Sequence, residues 1–209
     1  MNTDDLIVRH CRPGDATEHM KALSEPKSNI GNFLGWGVAA RNWTFLDHAK
    51  WLHWHSHHED QFDSFSVMYG SKLVAFFSFC KAMDPWGVQI CYWVRPSFQG
   101  KGIASIVLDT LVTRAFVIDG FEYVELHIDE ANIASRRLPE KLGFEVVASY
   151  ECVPSGLIET GHYEVWAKVN PNIERLNSQI QSGAIDTTWL APAWTKTALA
   201  LQLAAYLYK

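Results

Sequence analysis

The stretch that decides the fold of this chain covers residues 92–104 and has the sequence YWVRPSFQGKGIA. It joins an apolar run at residues 88–94, predicted to be a strand, to an apolar-periodic run at residues 102–117, predicted to be a helix. Gly100 and Gly102 lie between them, and glycines there let the backbone approach a ligand with successive N–H groups aligned. The helix N-terminus adds unpaired N–H donors and the positive end of a dipole. The stretch therefore predicts a phosphate site built from backbone groups.

Two other phosphate-binding loops do not fit this sequence. A Walker loop needs the spacing G-x-x-x-x-G-K-S/T, which the chain lacks, and a Rossmann fingerprint needs a glycine where the chain has Ser105. The alternative without a ligand is a strand–turn–helix connection in which the glycines only tighten the turn. We favour phosphate binding, because strand, loop and helix follow one another in the order that backbone recognition of phosphate needs.

Composition limits the class of protein. The chain has 209 residues, of which 48% are hydrophobic and 13% aromatic, enough for one domain with a buried core, with or without an appendage. The net charge of −5 argues against nucleic acid as the main ligand. No apolar run is long enough to cross a bilayer, and the N-terminus is acidic where a signal peptide is basic. Four cysteines without metal or redox spacing predict reduced thiols. We expect a soluble cytoplasmic protein with no membrane partner.

Periodicity predicts an α+β domain with a mixed sheet. The predicted strands cover residues 6–10, 64–69, 73–80, 88–94, 123–128, 144–150 and 163–169, and the predicted helices cover residues 15–23, 45–55, 102–117 and 132–142. Asp15 is predicted to be an N-cap, with Glu18 completing a capping box, and residues 26–37 are predicted to be irregular. We expect one domain at residues 1–169 and a C-terminal helical extension at residues 170–209, which packs on its own domain or on a second copy in a homodimer.

A second motif, HIDEANIASRRLPEKLGFE, lies at residues 127–145 and makes the meaning of the glycine loop more specific. Together with the pattern Gln99-x-x-Gly102-x-Ala104, it resembles the GNAT superfamily of acetyl-coenzyme A-dependent N-acetyltransferases. The segments NIASRRLPEKLGF, CYWVRPSFQGKGIA and NFLGW resemble the branch that includes the RimJ/RimL N-terminal acetyltransferases of ribosomal proteins. The resemblance covers residues 4–169 and implies an acetyltransferase domain there, with a GNAT-like, mostly antiparallel central sheet flanked by helices.

The resemblance also implies a reaction. Acetyl-coenzyme A is the implied co-substrate, no metal is implied, and the acetyl group passes directly to a primary amine in a ternary complex. The amine acceptor is a peptide N-terminus or a small molecule, with no nucleic acid involved. The implied coenzyme-binding residues are Val94, Gln99, Gly100, Lys101, Gly102, Ile103, Ala104 and Asn132. Asn132 has an alternative role as a helix N-cap, and Arg136 and Arg137 are either phosphate-screening or solvated side chains.

Catalysis is less closely specified, because the chain departs from the family pattern. Many members have a tyrosine general acid where this chain has Pro139, and many have a glutamate where it has Gln89. The resemblance implies Ser135 as the replacement proton donor. The candidate bases are Glu151, Tyr92 and His127, a histidine that packing alone would also explain. The two departures support an alternative hypothesis, a coenzyme-binding regulatory or interaction module that has lost catalysis.

The remaining constellation is rich in histidine and tryptophan. His53 and His57 have the i, i+4 spacing of a zinc pair, but the chain lacks the H-E-x-x-H frame, so we favour a solvated helix end. Nearby tryptophans are predicted to pack the helices that wall the acceptor groove; they are Trp36, Trp43, Trp51 and Trp54.

Overall fold

The computed structural model describes residues 2–25, 28–57, 63–82 and 86–171, with His57 described by its backbone only. Seven strands form one sheet: β1 (Leu6–His10), β2 (Ser64–Tyr69), β3 (Lys72–Lys81), β4 (Gly87–Val94), β5 (Tyr123–Asp129), β6 (Glu145–Glu151) and β7 (His162–Val169). Six helices flank it: α1 (Ala16–Leu23), α2 (Ile30–Phe33), α3 (Gly35–Ala40), α4 (Phe45–His57), α5 (Ile103–Val117) and α6 (Ile133–Lys141).

The sheet has the strand order β1-β2-β3-β4-β5-β7-β6. Every neighbouring pair is antiparallel except β4 and β5, which run parallel. A parallel pair needs a long crossover connection, and α5 supplies it. The predicted fold class, a mixed and mostly antiparallel sheet flanked by helices, is confirmed. The predicted extension falls almost wholly outside the described residues.

Two hydrophobic clusters cover opposite faces of the sheet. The first joins the sheet to α5, and Tyr92 and Val94 of β4 pack against it. The second joins the sheet to the N-terminal helices, and Trp93 belongs to it. Adjacent side chains of a strand point to opposite faces, so β4 contributes to both layers. Trp36 and Trp51 pack in the second cluster together with Trp43, as predicted, whereas Trp54 is 43% exposed.

Two local predictions are wrong. Within residues 26–37, predicted to be irregular, α2 forms and α3 begins, and Gly31 and Gly37 let these helices approach closely: a Cβ on Gly37 would lie 3.2 Å from the Cα of Gly31. Asp15 does stand at the N-cap of α1, but its carboxylate does not cap the helix. It instead pairs with Arg9 at 2.6 Å and accepts a hydrogen bond from Ser66 at 2.7 Å.

The cysteines and the helix lengths bear on two further predictions. All four cysteines are free thiols, as predicted. Among the described residues, no helix combines the length and the apolar character needed to span a bilayer.

Candidate functional site

The parallel strands β4 and β5 separate partway along their length. Their register contains three pairs, ending at Gln89 and Glu125. Beyond that point β4 stays paired with β3 as far as Val94, and β5 stays paired with β7 as far as Asp129. The two strands therefore diverge, and a cleft of about 670 Å³ opens between them. Residues 90–94 have no strand partner on the side facing β5, among the strands that the structure describes.

Most of the predicted site residues line this cleft. They are Tyr92, Val94, Gln99, Gly100, Gly102, Ile103, Ala104, Asn132 and Ser135. The backbone of Val94 faces the cleft, since the next residue, Arg95, donates its N–H to Val74 of β3 and neighbouring strand residues alternate in direction. The Val94 carbonyl accepts a hydrogen bond from Gln99 Nε2 at 3.0 Å, and its N–H remains directed at the cleft.

The glycine loop has the backbone geometry of an anion site. Gly100 and Gly102 have left-handed φ values of 72° and 79°, and open space surrounds both where a side chain would stand. Gly102 is the N-cap of α5, so no side chain caps the helix and its first N–H groups are left for another acceptor. These N–H groups belong to residues that line the cleft, and the α5 dipole adds positive potential there. The loop thus fits a phosphate group.

The loop is also anchored to the opposite layer. Glu25 accepts hydrogen bonds from the Ser97 N–H at 3.1 Å and from the Ser97 hydroxyl at 2.9 Å, and it pairs with Arg95 at 2.5 Å. Gln99 Nε2 also donates to Asn29 Oδ1 at 2.9 Å. Burial would raise the pKa of Glu25, but the bonds to Arg95 and Ser97 outweigh it and hold that pKa below its usual value. The N-terminal helices therefore hold the loop in place.

Three basic side chains near the loop have different surroundings. Lys101 does not line the cleft: its Nζ donates to the Ser97 carbonyl at 2.9 Å and lies 4.7 Å from the centre of the Phe98 ring. Arg136 forms a two-pronged pair with Glu164, at 2.7 and 2.9 Å. Arg137 lines the cleft from α6.

Asn132 and Ser135 bring the second motif to the cleft. Asn132 is the N-cap of α6, and its Oδ1 accepts the Ser135 N–H at 3.2 Å, which confirms the capping role. The Ser135 side chain neighbours the buried hydroxyl of Tyr92, which has no hydrogen bond of good geometry among the described residues. Burial raises the pKa of Tyr92 to about 12, and the nearby Ser135 hydroxyl opposes that rise. Pro139 lies inside α6 and is buried, so a tyrosine general acid is absent from that position.

His127 lines the cleft from β5 and is held at both ring nitrogens. Its Nδ1 lies 3.0 Å from the Tyr150 hydroxyl, and its Nε2 lies 3.1 Å from Glu125 Oε1. Glu125 is fully buried, and neither of its oxygens has a well-formed hydrogen bond among the described residues. His127 Nε2 is thus the titratable group in contact with this buried carboxyl group.

Glu151, the predicted base near the acceptor end, is the last residue of β6 and is not among the residues that line the cleft. β6 is an edge strand, and β7 separates it from β5. The Glu151 side chain is 80% exposed and lies 3.3 Å from His162 Nδ1, its partner in the β6–β7 register. The sequence could place Glu151 on the strand after Gly143 but could not show that β7 inserts between that strand and β5.

Asp129 is a cleft residue that sequence reasoning missed. Its Oδ1 accepts the Ala131 N–H at 2.9 Å, and its Oδ2 accepts the N–H groups of Thr160 and Gly161 at 2.9 and 3.0 Å. The buried carboxylate thus joins the turn before Asn132 to the loop between β6 and β7. One feature of the sequence could have pointed to Asp129: it is an acidic residue directly after the predicted strand at residues 123–128 and three residues before Asn132.

Comparisons with known proteins agree with this geometry. The sequence model of the acetyltransferase (GNAT) family matches residues 31–144. No curated protein sequence matches the chain. Among solved structures, the ribosomal L7/L12 alpha-N-protein acetyltransferase RimL, in complex with coenzyme A, is 16% identical with a TM-score of 0.72, and the match covers 80% of this chain and 95% of that one.

Two further structures show the same fold with other ligands. The microcin C7 self-immunity acetyltransferase MccE, in complex with acetyl-CoA and AMP, is 16% identical with a TM-score of 0.72, covering 80% of this chain and 93% of that one. Spermidine N-acetyltransferase from Vibrio cholerae, in complex with CoA and spermine, is 17% identical with a TM-score of 0.65, covering 80% and 97%. At these identities the likeness shows the fold.

Proposed function

The chain belongs to the acetyltransferase (GNAT) family, and from that premise we propose that it moves an acetyl group from acetyl-coenzyme A to a primary amine by direct transfer in a ternary complex. The observation that carries the proposal is the divergence of β4 from β5 beside the glycine loop. It leaves strand backbone and helix N–H groups unpaired in one cleft. The fold shared with RimL supports a RimJ/RimL-like branch and an acceptor such as a peptide N-terminus.

The coenzyme is proposed to bind along β4 and the loop. The N–H of Val94 would pair with the pantetheine arm, and the backbone of residues 99–104 would hold the pyrophosphate. Arg137, which lines the cleft from α6, is placed to add positive charge. Lys101 contributes through its backbone in this proposal, because its side chain is bound to Ser97 and Phe98. Asn132 would contact the pantetheine in addition to capping α6.

Acetyl transfer needs a neutral amine, a donor for the oxyanion and a proton for the departing thiolate. The other β4 backbone amides near Val94 are the proposed oxyanion donors. Ser135 is the proposed proton donor, with Tyr92 beside it as a second hydroxyl. His127, backed by Glu125, is the proposed proton acceptor, because it is the imidazole that lines the cleft among the described residues.

The domain organisation and assembly are part of the proposal. Residues 1–169 would form the acetyltransferase domain, and residues 170–209 would form an extension that packs on this domain or on a second copy. Light scattering of the full chain and of a chain ending at residue 170 tests the homodimer. Equal subunit counts for the two chains would contradict a dimerising role of the extension.

Two measurements test the function. Titration calorimetry should detect acetyl-coenzyme A binding, and release of free thiol in the presence of primary amines should show transfer. No binding at millimolar concentration would overturn the proposal. Binding without transfer to peptides, arylalkylamines or polyamines would favour the alternative, a coenzyme-binding regulatory or interaction module. That alternative draws on Gln89 and Pro139, which occupy the positions of family acid–base residues.

A further inference from the structure

The loop between β6 and β7 forms one wall of the cleft and is fixed to α2. Leu157 N–H donates to the Gly31 carbonyl at 3.1 Å, and Ile158 N–H donates to the Asn32 carbonyl at 3.2 Å. The approach is close enough that a Cβ on Gly156 would lie 2.3 Å from the Asn32 oxygen. The loop and α2 therefore form a preorganised wall.

The same loop is tied internally and to β5. Glu159 accepts hydrogen bonds from the N–H groups of Ser155 and Gly156, each at 2.6 Å. Asp129, at the end of β5, accepts hydrogen bonds from the N–H groups of Thr160 and Gly161. Burial alone would raise the pKa of Glu159, but the bonds from Gly156, Tyr163 and Ser155 hold it below its usual value. Hence the Glu159 carboxylate accepts bonds from within the loop and from Tyr163 of β7.

Despite this anchoring, the loop presents apolar side chains to solvent. Val153, Leu157 and Ile158 are 89%, 57% and 54% exposed. Of these, Ile158 lines the cleft, and the apolar and aromatic residues Phe33, Leu34, Trp93 and Tyr163 are also among its lining residues. Ile158 thus places an exposed aliphatic side chain where a ligand entering the cleft would contact it.

A polyamine site needs free carboxylates, and the charged side chains of this cleft are mostly basic. Asp129 is the acidic residue among the described cleft-lining residues, and both of its oxygens accept hydrogen bonds from the protein. Glu125 is fully buried behind His127. Apart from His127, the remaining charged lining residues are Arg137 and Lys141, and both are basic. The described part of the cleft offers no carboxylate to a polycation.

From these observations we infer that the acceptor is a monoamine whose amine-bearing carbon chain carries an apolar or aromatic group, and that Ile158 selects it. The inference rests on the proposed acetyl transfer and adds the class of acceptor. The apolar group would pack on Ile158, while the amine points to His127 and the base of the cleft. A hydrophobic first residue of a peptide and a free arylalkylamine share this chemistry.

The experiment compares catalytic efficiencies at saturating acetyl-coenzyme A. The acceptors are 2-phenylethylamine, spermidine and two peptides that differ only in a first residue of leucine or aspartate. We expect both apolar acceptors to be at least about tenfold better than spermidine and the aspartate peptide. A higher efficiency for the peptide identifies a chain N-terminus as the source of the amine, and a higher efficiency for 2-phenylethylamine identifies a small molecule.

Two variants locate the selection. Ile158→Asp should lower the efficiency with apolar acceptors about tenfold to a hundredfold and leave the affinity for acetyl-coenzyme A unchanged. Val153→Asp is the matched control, because Val153 is on the same loop and more exposed but does not line the cleft. It should change neither quantity.

The outcomes separate the two proposals. A preference for spermidine, or an Ile158→Asp variant with unaltered acceptor preference, overturns the inference and leaves the acetyltransferase intact. Absence of transfer to every acceptor overturns both.

Discussion

Gln89 of β4 lies opposite Glu125 of β5, in the last pair before the two parallel strands separate. This pair marks the bottom of the cleft. On one side, β4 continues to the glycine loop at the N-terminus of α5, which is the proposed coenzyme end. On the other side, β5 continues through His127 to Asp129, which holds the β6–β7 loop. The proposed donor and acceptor sites thus lie on separate strands that diverge from this one pair.

The first prediction concerns the backbone of the glycine loop. Gly102→Ala should weaken acetyl-coenzyme A binding at least about tenfold. The left-handed conformation costs a non-glycine residue about 1–2 kcal/mol, and a backbone that relaxes to relieve this strain would turn the N–H groups at the start of α5 away from the phosphate. Calorimetry measures the binding, and urea unfolding measures the stability.

Gly120 provides a matched control for this substitution. It follows the other end of α5, has a φ of 74° beside 79° at Gly102, and likewise has open space where a methyl group would stand. Gly120→Ala should therefore lose a similar amount of stability and retain coenzyme binding. Equal losses of coenzyme affinity in the two variants would show that Gly102→Ala weakens binding through a general loss of stability and not through the conformation of the glycine loop.

The second prediction concerns the departing thiolate. Ser135→Ala should lower turnover about a hundredfold, as expected for a lost general acid, with little change in the affinity for acetyl-coenzyme A. Thiol release under saturating substrates gives the turnover. Ser105→Ala tests specificity, since Ser105 lines the same cleft from α5 and should be dispensable. Unchanged turnover in Ser135→Ala would remove Ser135 from the mechanism, and Tyr92→Phe would then test the neighbouring hydroxyl.

The strands and the glycine loop at the start of α5 were predictable because their signals are local. Apolar alternation and flanking turn residues mark each strand, and the glycine loop is contiguous in sequence with the helix that it caps. The acceptor side depends on long-range pairing instead. The position of Glu151 relative to β5 is an example, because β7 pairs between β5 and β6 and no local pattern reveals that order.

Carboxylates were the least predictable residues, for a related reason. Asp15 has the spacing of an N-cap, but Arg9 and Ser66, which lie on neighbouring strands, compete for its oxygens and bind them. The role of Asp129 likewise depends on Thr160, which is distant in sequence. Helix propensity and spacing describe what a carboxylate can do locally, and tertiary contacts decide which of these bonds it makes.

The third prediction concerns a buried histidine pair in the second cluster. His19 Nδ1 lies 2.9 Å from His48 Nδ1, and both side chains are almost fully buried among tryptophan and phenylalanine rings. Burial, followed by the neighbouring His48 and His55, lowers the pKa of His19 from 6.5 to about 3. The unfolded chain therefore takes up this proton below about pH 6.5, and the folded chain does so only near pH 3.

It follows that the free energy of unfolding decreases as the pH falls through this window. His19 alone should remove about 2 kcal/mol between about pH 7 and about pH 5, and the pKa of His48 is lowered in the same direction by burial. Urea unfolding followed by tryptophan fluorescence measures the dependence. His19→Gln should flatten it, whereas His162→Gln, at an exposed site on β7, should not. Parallel curves for His19→Gln and the unmodified chain would contradict the assignment.

The fourth prediction concerns the joint between the acceptor wall and β5. Asp129→Asn places an NH₂ group against N–H donors, so at least one buried bond is lost, at a cost of about 1–3 kcal/mol. Loosening of the loop should also lower catalytic efficiency for the acceptor about tenfold, through poorer positioning. Acetyl-coenzyme A affinity should change less, because the glycine loop is anchored through Glu25 instead. Steady-state kinetics in both substrates, with urea unfolding, measure these effects.

Two further variants isolate the role of the Asp129 carboxylate. Thr160→Val removes one donor, the hydroxyl 3.1 Å from Asp129 Oδ2, and keeps the backbone donors, so it should have a smaller effect of the same kind. Asp119→Asn removes a carboxylate that lies beyond the end of α5, away from the cleft, and pairs with Arg114 at 3.1 Å. This substitution should lower the free energy of unfolding by at most about 1 kcal/mol and leave the KM for the acceptor unchanged. The two oxygens of Asp129 hold different elements: Oδ1 accepts the Ala131 N–H in the turn before Asn132, and Oδ2 accepts the Thr160 N–H in the β6–β7 loop. If Asp129→Asn raised the KM for acetyl-coenzyme A more than the KM for the acceptor, the carboxylate would therefore act mainly through the turn before Asn132.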